Sequence, residues 1–122
     1  MYSKTTNGVT VTVTPYFLDE QSSPQESHYV WAYQVNIMNS SSTTMKLNHR
    51  NWVIIDANGK IINVQGDGVV GEFPTLKPGE SFEYTSGTPL KTTNGIMQGF
   101  YLMSQNNGEQ LKIDIPTFSL DS

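Results

Sequence analysis

Apolar and polar positions alternate along most of this chain, and the alternation predicts strands. Val9, Val11 and Val13 interleave with Thr10, Thr12 and Thr14, a period of two that places the valines on one face of a half-buried strand. Pro15 comes next. Lacking an N–H, it places the end of that strand at a sheet edge or a bulge. Residues Leu18 to Ser27 are polar, include Pro24 and read as a loop. In the following segment Tyr29, Trp31, Tyr33, Val35 and Ile37 share one face, and Val30, Ala32, Gln34, Asn36 and Met38 share the other. Both faces are partly apolar, which fits a central strand. Trp31 and Tyr33, with Trp52, Phe100 and Tyr101, should mostly fill the core between two sheets; only if the face shared by Tyr29, Trp31 and Tyr33 points outward does it form a patch for a partner.

Turn residues punctuate the remainder. Asn58-Gly59 lies between two apolar runs, and both residue types tolerate positive φ, so Trp52–Asp56 should pair with Lys60–Val64 in a hairpin. Pro78-Gly79 has the chemistry of a type II turn ahead of a short strand through Phe82 and Tyr84. Asn107-Gly108 marks a last hairpin, with Met97, Tyr101 and Met103 on one face of its first strand and Leu111, Ile113 and Ile115 on one face of its second. No segment shows a period of 3.6. The expectation is all-β: an antiparallel β-sandwich of fibronectin type III or immunoglobulin kind, with about seven strands.

Composition narrows the function classes. The 122 residues are expected to form a single domain, 1–122. Cysteine is absent, which removes disulfides, thiolate metal sites and cysteine nucleophiles. No apolar run is long enough to cross a membrane as a helix or to act as a secretory signal, so the expected location is cytoplasmic, without membrane insertion. The net charge is −4 and Arg50 is the only arginine, a balance that argues against nucleic acid as a partner.

Residues Gly66-Asp67-Gly68-Val69-Val70-Gly71 spell G-x-G-x-x-G, the dinucleotide-binding fingerprint. That motif works when a strand leads through the glycine turn into a helix whose N-terminus receives the pyrophosphate. A strand precedes Gly66 here, but Pro74 and Pro78 come soon after and no helical period appears. Asp67 and Glu72 also place two carboxylates at the loop. The expectation is that the glycines serve backbone geometry, with Gly66, Asp67, Gly68, Gly71 and Glu72 kept as a weak anion or nucleotide loop. Asp67 and Glu72 could also touch a hydrated magnesium ion, but two solvated acids would look the same. His28 and His49 are the only histidines and lack further ligands at metal spacing, so no metal site is assigned. No nucleophile elbow appears. Neither catalytic residues nor a cofactor are assigned, and the chain is expected not to be an enzyme.

A longer string of residues carries a resemblance. Arg50, Trp52, Ile54, Asp56 and Gly59 are succeeded by Gly66, Gly68-Val69-Val70-Gly71-Glu72, Pro74, Leu76 and Pro78-Gly79-Glu80, and then by Phe82, Tyr84 and Ser86-Gly87. Gly95, Met97, Gly99 and Tyr101 come next, and Ile115-Pro116, Phe118 and Leu120 close the series. In this the chain resembles the ApaG family over essentially its whole length, departing at Thr92-Thr93, where the family often has Thr-Pro. The resemblance implies a fibronectin type III-like sandwich in a bacterial cytoplasmic protein. It also implies a link to cobalt resistance and magnesium efflux, as an accessory regulator rather than a transporter. Similar domains in F-box and polymerase-interacting proteins imply protein recognition. The expectation is therefore a non-enzymatic interaction module acting through an exposed sheet edge or aromatic sheet face, with homodimerisation through the same surface as one form. The alternative is a nucleotide or pyrophosphate binder of diadenosine tetraphosphate type, acting through the glycine-rich loop.

Overall fold

The computed structural model describes residues 1–121 and consists of two antiparallel sheets facing each other across one hydrophobic core. In chain order the strands are β1 (Tyr2–Thr6), β2 (Val9–Phe17), β3 (Tyr29–Asn39), β4 (Met45–Asp56), β5 (Ile61–Asp67), β6 (Thr75–Leu76), β7 (Ser81–Leu90), β8 (Asn94–Gln105) and β9 (Gln110–Asp121). One sheet has the order β1-β2-β3-β7; the other runs β5-β4-β8-β9, with β6 also paired to β4. The all-β sandwich matches the expectation, with nine strands in place of about seven. One addition is the two-residue β6. The other is β1, whose residues are polar enough to hide its alternation. It is joined to β2 through Asn7 (φ 51°) and Gly8 (φ 80°), a two-residue hairpin turn of the Asn-Gly type.

The valines of β2 and Trp31, Tyr33, Val35 and Ile37 of β3 point into the core. The aromatic face of β3 is therefore an inner wall, in keeping with the expectation that these aromatics fill the core, and no outward aromatic patch forms there. Pro15 pairs with Tyr33 on one side, while β1 reaches only as far as Val13 on the other. The proline thus lies where β2 has become an edge. The Asn58-Gly59 hairpin forms in the predicted register, Trp52 opposite Val64. Gly59 (φ 81°) closes it, and the Asp56 carboxylate accepts from the N–H groups of Asn58 and Lys60, both at 2.9 Å. Gly79 (φ 88°) completes the turn from Lys77 to Glu80. At the resemblance's point of departure, Thr92 Oγ1 accepts from Ala57 N–H at 3.1 Å and donates to Asn94 C=O at 2.7 Å. These bonds hold the β7–β8 turn without a proline.

Two bulges set the phase of the second sheet. Leu47 pairs with Met103 and His49 with Leu102, leaving Asn48 as the extra residue of β4. Met45 and Leu47 are buried before the bulge, Trp52 and Ile54 after it; the inner face passes from odd to even positions. Arg50 therefore points to the inner side. A similar shift lies in the β8–β9 pair between Met97 and Gly99, so β9 buries Ile113 and Ile115, then Phe118 and Leu120.

β9 lies against β1 and β2, and the Lys4–Asp114 ion pair (3.3 Å) and the Trp31 Nε1–Asp121 C=O contact (3.4 Å) bridge that side. On the opposite side the edges β7 and β5 leave a lateral groove, with Trp52, Val64 and Ser86 among its walls.

Candidate functional site

The glycine-rich segment is the place to test for anion binding. Gly66 and Asp67 are the last two residues of β5, opposite Arg50 and His49. Gly68 N–H donates to Asn48 C=O at 2.9 Å, so the β4 bulge and the start of the loop are tied together. Val69 and Glu72 exchange two backbone hydrogen bonds of 2.9 Å each, with Val70 (φ 45°) and Gly71 (φ 80°) between them. Positive φ at both central positions is the signature of a type I′ turn, and a β-branched residue there is strained. The chain then continues through Phe73 and Pro74 into the short β6, not into a helix. The helix terminus that would receive a phosphate is absent, in line with the expectation. Three loop N–H groups, those of Gly68, Val69 and Glu72, are already bonded to carbonyls, which leaves little of an anion nest.

Two of the glycines are required by close approach. The Arg50 guanidinium lies across Gly66, where a Cβ would stand 2.7 Å from Nη2. At Gly68 a Cβ would stand 2.2 Å from the Glu72 carbonyl oxygen. Arg50 Nη1 donates to the carbonyls of Asp67 (3.1 Å) and Gly68 (2.9 Å). Arg50 thus acts as a clamp on the loop, and its other N–H groups have no protein acceptor among the described residues. Sequence proximity places only Lys77 near this loop and misses Arg50. The signal that could have found it is the change of parity between Met45-x-Leu47 and Trp52-x-Ile54, which requires a bulge and turns Arg50 inward.

The acids are not organised as a metal centre. Asp67 is exposed and meets His49 Nδ1 at 3.3 Å, and Glu72 is exposed on the turn. Among the described residues no three histidines or carboxylates gather within reach of one ion. His28 lies apart, at the far end of the lateral groove with Lys60 and Lys91.

The aromatic residues mostly build the core. Tyr33 and Trp52 pack at 5.2 Å between ring centres, and Phe118 meets Trp52 edge-on at 6.0 Å. Behind them the hydroxyls of Tyr84 and Tyr101 form a buried hydrogen bond of 2.5 Å between the two sheets. Burial pushes the Tyr33, Tyr84 and Tyr101 phenols above their ordinary range.

The sheet edges differ in how they are protected. β1 carries Lys4, β7 carries Glu83 and Pro89, and β9 carries Lys112 and Pro116. Charges and prolines at edges discourage pairing with a foreign strand. β5 reads Ile-Ile-Asn-Val-Gln-Gly-Asp, with no charge or proline before Asp67. Ile61 is 60% exposed, and Ile62 and Val64 38% each. The closing pair Asp56–Lys60 is hydrogen-bonded, and antiparallel pairs alternate from there. The N–H and C=O groups of Ile61, Asn63 and Gln65 therefore point away from β4, into solvent. Ile62 and Val64 stand opposite Ile54 and Trp52, so their side chains turn toward the groove. Among the described residues no helix is long and apolar enough to cross a membrane.

Comparison with known proteins points to the ApaG family. A family profile described as the ApaG domain matches residues 19–105. The chain is 56% identical over 122 residues to Protein ApaG of Paramagnetospirillum magneticum, covering 100% of this chain and 94% of that protein. It is 52% identical over 121 residues to Protein ApaG of Brucella anthropi, covering 99% and 93%. A crystal structure described as an ApaA protein, from Bordetella pertussis, superposes with a TM-score of 0.90 at 44% identity, covering 93% of this chain and 92% of that one.

Proposed function

The chain belongs to the ApaG family, and from that premise we propose that it is a non-enzymatic recognition module that binds a protein partner along the open edge of β5. The observation that carries this proposal is the edge itself: seven residues, unguarded by charge or proline before Asp67, with Ile61, Ile62 and Val64 exposed. An extended segment added there gains main-chain hydrogen bonds from Ile61, Asn63 and Gln65, and its alternate side chains meet the groove. In the cell the module would work in the cytoplasm as an accessory regulator, and the cobalt-resistance and magnesium-efflux label of the family points to where its partner acts.

The test compares the whole chain with Asn63→Pro as bait for crosslinked capture from bacterial extract. The substitution removes an N–H that faces solvent, so β4–β5 pairing survives. A specific partner retained by the parent and lost by Asn63→Pro, with melting temperatures within a few degrees, is the expected result. Recovery of no specific partner, or equal recovery by both baits, overturns the proposal.

Nucleotide or pyrophosphate binding at Gly66–Glu72 has one feature in its favour, the free N–H groups of Arg50 beside Gly66. Titration calorimetry with ATP and with diadenosine tetraphosphate, each with and without Mg²⁺ or Co²⁺, tests it. Heat that saturates in the micromolar range would favour that function over edge recognition.

A further inference from the structure

We propose that the segment recognised by β5 is an acidic strand with carboxylates at both ends of a short apolar stretch, in the order acid-x-apolar-x-apolar-x-acid. This names the partner's chemistry for the edge-recognition function above and rests on it. On the groove side of β5, Ile62 and Val64 form an apolar centre, continued by Pro89 and Leu90 of β7. Both ends are cationic. Lys60 and Lys91 stand with His28 around the pocket at the start of β5. Arg50 lies across Gly66 at its end.

None of Lys60, Lys91 and Arg50 is held in an ion pair among the described residues, although the Asp56 carboxylate lines the same pocket as the lysines. The Asp56 carboxylate beside them accepts from two backbone N–H groups. Asp67 sits on the other face of the strand, next to His49. Arg50 uses only Nη1 on the loop carbonyls. A cationic groove in a chain of net charge −4 selects an acidic partner through both encounter and register. The six residue steps from Lys60 to Gly66 are about 20 Å of strand, which sets the separation of the two acids.

A second copy of this chain fits less well. The antiparallel register that places Ile62 against Val64 of another copy also places Lys60 opposite Gly66, beneath the other Arg50. Two cations then face each other on the side where the apolar residues meet.

The probe is a fluorophore-labelled, end-capped seven-residue peptide with aspartates at its ends, leucine and valine at the third and fifth positions, and threonines between. A control replaces the aspartates with lysines. Fluorescence anisotropy should show the acidic probe binding at least about tenfold more tightly than the control, an advantage that shrinks as salt screens the charges. The double substitution Lys60→Glu with Lys91→Glu changes only exposed side chains and should reverse the order of the two probes. Equal binding of both probes, no effect of the double substitution, or silence of the acidic probe at millimolar concentration overturns the acidic-strand assignment and leaves the edge to be judged by the capture experiment. Asn63→Pro and Gln65→Pro should abolish binding of the acidic probe; undiminished binding by both folded variants would sink edge recognition itself. A dimer in sedimentation, dissociated by either proline, would assign the edge to a second copy and overturn the proposal.

Discussion

The hydroxyl pair between Tyr84 of β7 and Tyr101 of β8 gives the sandwich a measurable internal coupling. The oxygens are 2.5 Å apart, and neither hydroxyl makes another hydrogen bond among the described residues. Replacing one tyrosine with phenylalanine keeps the ring and its packing but leaves the other hydroxyl without a partner. A buried hydrogen bond is worth about 1 kcal/mol net, and a buried orphan costs about 1–3 kcal/mol. The two orphans are not equivalent. Tyr101 is fully buried, whereas Tyr84 retains 8% exposure, so an orphaned Tyr101 hydroxyl is the further from solvent. Tyr84→Phe, which strands the Tyr101 hydroxyl, should therefore cost about 2 kcal/mol, and Tyr101→Phe about 1 kcal/mol. The double variant strands neither group and should cost no more than the worse single one. Urea unfolding monitored by the fluorescence of Trp31 and Trp52 measures all four corners of the cycle. In a domain of this size 1 kcal/mol corresponds to about 4 °C in melting temperature. Losses that simply add would refute the reasoning, because they would mean that each hydroxyl meets a separate partner.

Two more perturbations probe the core and the glycine-rich loop. Burial raises the folded-state pKa values of Tyr33, Tyr84 and Tyr101, so the stability they contribute is complete below the unfolded value near 10 and is lost as pH climbs from there through the folded values; a phenol that stays protonated in the fold while it ionises in the unfolded chain removes roughly 1.4 kcal/mol per pH unit, and urea midpoints that stay flat between pH 9 and 11 would contradict this. Gly68→Ala meets the Glu72 carbonyl oxygen at 2.2 Å, whereas Gly71→Ala meets nothing within 4 Å; thermal unfolding should show a loss of about 1 kcal/mol at Gly71, from φ alone, and at least about 2 kcal/mol at Gly68, and equal losses would remove the close-approach explanation.

Much of the architecture was legible because alternation and turn chemistry agreed. The faces of β2 and β3, the Trp52–Val64 register and the turns at Gly59, Gly79 and Gly108 were all readable from residue type. β1 was not, because Ser3, Lys4 and Thr5 are all polar and exposed, so no apolar alternation marks the strand and its partner is set by the sheet. The parity change in β4 was present in the sequence, but its consequence for Arg50 needed the bulge at Asn48 to be placed. The groove was invisible for a related reason: its walls come from β3, β4, β5, β7 and β8, and only the order of strands in the two sheets brings them together.

The glycine string shows how a fingerprint can recur for unrelated physical causes. Gly66 leaves room for a guanidinium, Gly68 for a carbonyl oxygen, and Gly71 supplies positive φ in a two-residue turn. None of the three needs a nucleotide, yet together they fix where Arg50 stands. The bulge at Asn48 turns Arg50 inward, and the Asn48 carbonyl holds the loop through Gly68 N–H. The loop carbonyls then hold the guanidinium at the end of β5. An arginine restrained in this way loses little side-chain freedom when its remaining N–H groups meet a carboxylate, so less of the interaction is offset by entropy than for a free surface lysine. The two ends of the groove therefore differ in kind: a rigid, directional donor at Gly66 and mobile point charges at Lys60 and Lys91. Of the two acids in a bound strand, the one beside Arg50 should fix the register and the one beside the lysines should mainly raise the rate of encounter.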